Sequence, residues 1–220
     1  MEITCYTDAI SVSPIVQDKN TISMYFARET EDRKIRLIEK EIDQVDSIID
    51  LGCGNGNYAK ALRLKCRKLI GIDMSVDLAH HCRLLDVYDE ILQTTVPPIK
   101  ADDNSVDILF ASEVLEHVAD LKGMRAEMDR VSRKKIILTV PNPIYPFFYE
   151  DPTHVLKYSI KSLVHELNKS KKFKFKARGL GFENIPGTKW IKRLTQVLLR
   201  PFPGLNPTVS IIGIPRSKKG

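Results

Sequence analysis

The chain of 220 residues has no run approaching the roughly 18 consecutive apolar residues that a membrane-spanning helix needs. Its opening stretch, MEITCYTDAISVS, contains acidic residues and no apolar core, so it reads as lacking a secretory signal and as cytoplasmic. Cysteine is sparse. Cys5, Cys53, Cys66 and Cys82 lie far apart with no C-x-x-C pair, which excludes a disulfide scaffold or a zinc finger and suits a reducing compartment. Internal repeats and low-complexity segments are missing too. A hydrophobic share of 43% excludes a disordered chain.

Acidic residues are also missing from one end. From Thr153 onward, 15 Lys and Arg stand against Glu166 and Glu183 alone. Residues 1–121 carry 13 basic and 22 acidic side chains, a net −9, whereas residues 122–220 carry 21 and 6, a net +15. Such polarity implies that whatever approaches the C-terminal half is anionic, or sits on an anionic surface.

Ile35, Ile38 and Ile42, spaced i, i+3, i+7, predict an amphipathic helix within residues 28–43. Strand patterns follow at Ser47–Leu51, Lys68–Asp73, Glu90–Val96, Val106–Ala111 and Lys135–Val140, the last stopped by Pro141. Between them, Tyr58–Leu64, Val76–Leu84 and a stretch starting near Leu115 or Met124 read as helices. After Pro143 come an aromatic loop, a helix at Ser159–Leu167 capped by Ser159, and an edge strand at Lys172–Ala177. A helix at Lys189–Leu199 and a strand at Thr208–Ile214 complete the pattern. Alternating strands and helices predict an α/β chain whose mostly parallel sheet is covered on both faces. One domain is expected over 1–220: a helical segment at 1–44, a ligand-binding core at 45–145, and substrate-side and C-terminal strands at 146–220.

The most specific signal is Asp50-Leu51-Gly52-Cys53-Gly54-Asn55-Gly56-Asn57, placed between a strand and a helix. Alternate glycines allow a tight turn and let a ligand lie on bare backbone near a helix N-terminus. Asp73, 23 residues beyond Asp50, ends the next strand, where an acid can accept both hydroxyls of a ribose. The spacing G-x-G-x-G departs from the dinucleotide pattern G-x-G-x-x-G. Asp50 would repel a pyrophosphate but attract an ammonium. A nucleoside with a cationic, amino-acid-like tail fits these residues, and S-adenosylmethionine is such a molecule.

The stretches IIDLGCGNGNYAKAL, LIGIDMS, DNSVDILFASEVLEHV and KKIILTVPNP, within about residues 45–145, together resemble class I S-adenosylmethionine-dependent methyltransferases of the type found in ubiquinone and menaquinone biosynthesis. The resemblance implies a Rossmann-like, doubly wound sheet of seven strands, the last one antiparallel. It implies that Asp50 and Gly52–Gly56, with Cys53, Gly54 and Asn55 between, face the methionine part. Asp73 would hold the ribose and Met74 would pack on the adenine, with Ser112 beside the cofactor. Relatives usually have an acid after the third strand to meet the adenine amino group. Here that stretch reads Leu92-Gln93-Thr94-Thr95-Val96, so the contact passes to a backbone group, to Gln93 or to Thr94.

Methyl transfer from a sulfonium needs alignment above all, with loss of a proton from the acceptor where one must leave. Glu113-Val114-Leu115-Glu116-His117 places polar side chains at i, i+3 and i+4, one face of a helix, beyond the fourth strand. Glu113 and His117 read either as residues that touch the cofactor and fix the loop, or, with Glu116 and His154, as a divalent metal site. The second arrangement resembles that of small-RNA 2′-O-methyltransferases and some ubiquinone-pathway O-methyltransferases. His154, just before Tyr158 and a helix, is the candidate general base. His80, His81 and His165 read as surface or packing residues.

Within 189–200, Ile191, Leu194 and Leu198 lie at helical spacing among Lys189, Lys192, Arg193 and Arg200, with Trp190 near the start. Such a helix either packs its stripe into the core or lies on an anionic membrane surface. The expected activity is O-methylation of a small, lipid-linked or phosphate-linked anionic acceptor. Metal-assisted RNA 2′-O-methylation ranks below it for want of an aromatic RNA motif, and a cofactor-binding protein without turnover is the alternative of another class. Tyr25 and Arg28 are candidates to reach the cofactor from the N-terminal segment.

Overall fold

Four runs of isoleucine, leucine and valine, ended by glycine, proline or acidic residues, are buried without a break along at least five consecutive residues each, as strands of a sheet covered on both faces should be. The computed structural model describes residues 4–5, 32–181, 198 and 201–217. A two-residue strand β1 (Thr4–Cys5) is followed by helix α1 (Asp32–Glu41), β2 (Val45–Leu51), α2 (Ala59–Arg63) and β3 (Cys66–Asp73). Next come α3 (Val76–Leu84), β4 (Glu90–Gln93), β5 (Val106–Ser112), α4 (Leu121–Val131) and β6 (Ser132–Pro141). The C-terminal part adds β7 (Leu156–Lys157), α5 (Ile160–Leu167), β8 (Phe173–Gly181) and β9 (Thr208–Pro215).

Seven strands form one sheet in the order β4-β3-β2-β5-β6-β9-β8. Strands β2 to β6 pair in parallel, and β9 runs antiparallel to both of its neighbours. This is the doubly wound α/β sheet expected from the sequence, with the last strand reversed. β1 pairs antiparallel with β7 outside it. Because the order reverses direction at β2, flanked by β3 and β5, the crevice beyond the carboxyl ends of these strands is where such sheets bind ligands. Two apolar cores lie on the two faces, one around Leu109, Leu138, Met124, Phe148 and Tyr158, the other around Ile38, Ile48, Leu69 and Phe110.

Several details differ from the sequence reading. The buried side chains of α1 are Lys34, Leu37 and Ile38, continued by Ile42 just beyond the helix, so Ile35 stays half-exposed and a lysine takes an inward position. β4 stops at Gln93, short of Val96, because its sheet partner β3 ends at Asp73, the residue opposite Gln93. Helix α4 begins at Leu121, where Asp120 caps it by accepting the Gly123 N–H at 2.8 Å. The edge strand expected from KFKFKA is β8: Phe173 and Phe175 are buried, while Lys174, Lys176 and Arg178 are exposed. Tyr25, Arg28 and the 189–199 helix, apart from the helical Leu198, lie outside the described residues. Among the described residues no helix is long and apolar enough to cross a membrane.

Ser159 caps α5 as its sequence position predicts. Its Oγ accepts the Ser162 N–H at 3.1 Å, and Ser162 Oγ returns the contact by accepting the Ser159 N–H at 2.9 Å. Ser159→Ala is expected to cost about 1 kcal/mol, lowering the melting temperature by about 2–4 °C in a thermal scan. An unchanged melting temperature would show that this reciprocal cap contributes nothing.

Candidate functional site

At the carboxyl end of β2 the chain turns on Gly52, Gly54 and Gly56, whose φ angles are +65°, +54° and +78°. Alternate glycines are needed because each takes the left-handed conformation that other residues avoid. The Gly52 and Cys53 N–H groups donate to the Ile72 carbonyl at 2.7 and 3.0 Å, which ties the turn to β3. A Cβ on Gly52 would lie 2.4 Å from Val114, and one on Gly56 2.4 Å from Leu85. Gly54 is different. A Cβ there would meet nothing within 4 Å, so its bare backbone faces open space.

Two carboxylates are buried beside this turn. Asp50 is only 3% exposed and Asp73, the last residue of β3, 8%. Asp73 Oδ2 accepts the Gly54 N–H and Oδ1 the Ser75 N–H, each at 2.8 Å. Burial raises the Asp73 pKa, and the N–H groups of Ser75, Gly54 and Met74 oppose that shift. Asp50 Oδ2 accepts a hydrogen bond from the Tyr88 hydroxyl at 2.6 Å. Burial pushes Asp50 up to about 7; Tyr88 pulls it down and the charge of Asp73 pushes it further up. Like charges in a water-poor place favour a cation as their neighbour. Cys53 is a buried thiol pushed well above its usual range by Cys82 and by burial, which makes it a poor nucleophile.

The other cofactor candidates cluster nearby. Gln93 Nε2 donates to the Met74 carbonyl at 2.8 Å, and the Thr94 N–H donates to the Asp73 carbonyl at 2.9 Å. Asn55 and Met74 are half-buried. Ser112 Oγ lies 3.0 Å from Thr139 Oγ1, across the β5–β6 pair.

The expected single helical face from Glu113 to His117 does not form. Glu113 has φ +56°, and only Leu115–His117 makes one turn of 3-10 helix. The reversal sends Glu113 away from the other polar groups. Its Oε1 accepts from Thr139 Oγ1 at 3.0 Å and lies 3.2 Å from Nζ of Lys34, a lysine of α1 that is 2% exposed. Val114, the next residue, packs over Gly52.

Glu116, His117 and His154 do come together. Their potential ligand atoms all lie within 4.8 Å of one another, and Glu116 is fully buried. The two imidazole rings stand 4.8 Å apart, and His154 also packs against Phe148. His117 Nδ1 is 3.1 Å from the Thr153 carbonyl, and His154 Nδ1 is 2.6 Å from the Phe148 carbonyl. Each Nδ1 is therefore assigned the proton. The Nε2 atoms are left to face carboxylates, that of His117 at 4.0 Å from Glu116 and that of His154 at 3.7 Å from Asp151. Asp151 also accepts from the Thr153 N–H at 2.9 Å. Burial alone would raise the Asp151 pKa, but Thr153 and the two histidines hold it below the usual carboxylate value.

Sequence reasoning missed Tyr88, Lys34 and Asp151. A lone tyrosine in a connection carries no pattern, and Lys34 sits on what reads as the charged side of α1. Asp151 had a signal in Asp151-x-Thr153, a short acid-to-backbone turn.

Comparison with known proteins agrees with this geometry. Residues 49–139 match the family model described as a methyltransferase domain. Malonyl-(acyl-carrier protein) O-methyltransferase of Yersinia pestis is 28% identical over 133 residues, 54% of this chain and 49% of that protein. Trans-aconitate 2-methyltransferase of Enterobacter sp. (strain 638) is 27% identical over 134 residues, 60% and 52% of the two chains. The chain thus spans about half the length of the curated relatives it matches. A chain of the complex between the Haloferax volcanii Trm112 methyltransferase activator and a methyltransferase shares the fold, with a TM-score of 0.70 at 16% identity over 94% of this chain and 99% of that one. A SAM-dependent methyltransferase from Aquifex aeolicus does so with a TM-score of 0.66 at 14% identity over 90% and 98%. The glycine turn between two buried acids lies within the matched stretch, so residues 49–139 carry the match to a methyltransferase domain, on a seven-stranded sheet with its last strand reversed.

Proposed function

We propose that this chain transfers the methyl group of S-adenosylmethionine to an oxygen of a small, or lipid- or phosphate-linked, anionic acceptor. The observation that carries this reading is the bare Gly54 backbone facing open space beside the buried Asp50 and Asp73. The residues fit the cofactor. Asp73, with two backbone donors already on its oxygens, keeps lone pairs for the two ribose hydroxyls. Asp50 offers negative charge to the ammonium of the methionine part. When bound, the cofactor supplies a methyl carbon on a positively charged sulfur. The protein's part is to hold donor and acceptor in line and, for a hydroxyl acceptor, to take up its proton. His154 Nε2 is the atom for that proton, and Asp151 at 3.7 Å would stabilise the imidazolium.

An acidic acceptor is supported by charge and by likeness. Lys174, Lys176 and Arg178 are exposed along β8, in the half of the chain with net positive charge. The names of the two curated relatives both specify an acid group, malonyl or trans-aconitate. For a carboxylate acceptor no proton need be removed, and His154 would then serve as a charge partner.

A second reading adds a divalent ion held by Glu116, His117 and His154. It is favoured by their convergence within 4.8 Å and by both Nδ1 atoms being tied to backbone carbonyls, which leaves both Nε2 atoms as ligands. One carboxylate and two imidazoles suit manganese better than magnesium. The chemistry supplied would be a lowered pKa for a hydroxyl acceptor.

Two measurements test these readings. Asp73→Ala is expected to weaken S-adenosylmethionine binding by about 10- to 100-fold in calorimetry, by removing charged acceptors from the ribose. Unchanged affinity would place the nucleoside elsewhere. Titration of the full chain with manganese, followed by electron paramagnetic resonance, is expected to show one bound ion that His154→Ala loses; a free-ion spectrum throughout would leave the metal-independent reading.

A further inference from the structure

Tyr88 belongs to neither the glycine turn nor the strand ends, yet it reaches the centre of the site. It lies on the α3–β4 connection, where Asp86 takes a left-handed φ of +52°. Its neighbour Asp89 pins that connection to β3. The Asp89 N–H donates to the Leu69 carbonyl at 2.9 Å, Asp89 Oδ2 accepts the Leu69 N–H at 2.7 Å, and Arg63 binds the same carboxylate. From this anchored backbone the ring crosses β3 at Gly71, where a Cβ would come 3.0 Å from its Cε1. It also passes Gly56, where a Cβ would lie 3.8 Å from Cε2. The hydroxyl ends on Asp50 at 2.6 Å. A residue with a side chain at position 71 would crowd this path, so the glycine in the middle of a strand has a use.

From this geometry we infer that Tyr88 is a positioning residue for the cofactor site, holding Asp50 from the protein side so that its carboxylate meets a cation ionised and in one orientation. The inference rests on reading the turn as the S-adenosylmethionine site. The groups that face Asp50 are Asp73 from β3, Cys53 from the turn and Tyr88 itself, while Cys82 of α3 acts on Cys53 and Tyr88. Burial, and next the charge of Asp50, raise the Tyr88 pKa far out of reach, so the phenol always donates. The Cys53 thiol stays neutral for the reasons given above. Asp73 repels the Asp50 charge, and the Tyr88 hydrogen bond is the contact that offsets burial. With Asp50 poised at about 7, the sign is fixed: cation binding strengthens as pH rises through 7, and losing Tyr88 moves that rise to higher pH.

The test compares the full chain with its Tyr88→Phe variant, using S-adenosylmethionine in calorimetry from pH 6 to 9. The ratio of the two affinities cancels the ligand's own titration. It is expected to be about tenfold at pH 6, corresponding to about one unit of displacement, and to narrow toward unity at pH 9. Adenosine, which lacks the cationic tail, is expected to bind both proteins alike. In an Asp50→Asn background the pH dependence should vanish and Tyr88→Phe should change nothing more. A ratio that is constant with pH, or equal losses for adenosine, would overturn the inference and leave Tyr88 a packing residue. Should S-adenosylmethionine fail to bind the unaltered chain at all, the cofactor reading falls instead. An infrared titration of the Asp50 carboxylate in ligand-free protein then decides: a midpoint raised in Tyr88→Phe supports the inference, and an unmoved one refutes it.

Discussion

Asp50 and Asp73 bring two negative charges into the same water-poor corner, and the surrounding structure answers that arrangement. Each carboxylate is held by donors placed for it: the Gly54 and Ser75 N–H groups on one, the Tyr88 hydroxyl on the other. Those donors are in place only because three glycines accept positive φ, because Ser75 opens α3 as its cap, and because Gly71 leaves room for a phenol. Even so, burial leaves Asp50 only half-committed to its charge near neutral pH. A ligand with a positive end completes what the protein leaves unbalanced.

The loop beyond β5 is organised by a different pair. Glu113 turns back under α1 to Lys34 and Thr139, and that reversal lays Val114 on Gly52 while directing the next turn toward His154. The buried ion pair thus couples the first helix to the glycine turn. Removing one partner would strand the other charge, so its value lies in fixing one arrangement of the loop. Beyond it, Glu116, His117 and His154 are assembled from two segments, β5–α4 and β6–β7, which join at the Thr153 contacts. The proposed proton transfer and the proposed metal binding would draw on the same Nε2 atoms.

Much of this was legible in the residues alone. The strand–glycine–helix unit and Asp73 carry their own spacing, and alternating strands and helices announce a mostly parallel sheet, whereas seven strands with the last reversed is what the family resemblance implies. Ser159 and the alternation in KFKFKA announced a cap and an edge. What escaped the sequence was contact at long range. Tyr88 acts on Asp50 through a path that exists only once Gly71 and Gly56 are folded beside it. Lys34 reads as solvent-facing until the helix stripe proves to start one residue earlier than its isoleucines imply. The i, i+3, i+4 pattern at Glu113–His117 misled because a positive φ at Glu113 breaks the helix that the spacing presumes. Periodicity reports local geometry, and one left-handed residue is enough to cancel it.

The most direct measurement is a crystal structure of the full chain with S-adenosylhomocysteine, the demethylated form of the cofactor. The account requires the ribose hydroxyls on Asp73, the backbone of Gly54 against the ligand, and the ammonium on the Asp50 side of the turn. A nucleoside bound away from Asp73, or an anion seated on the Gly52–Gly56 backbone, would contradict it.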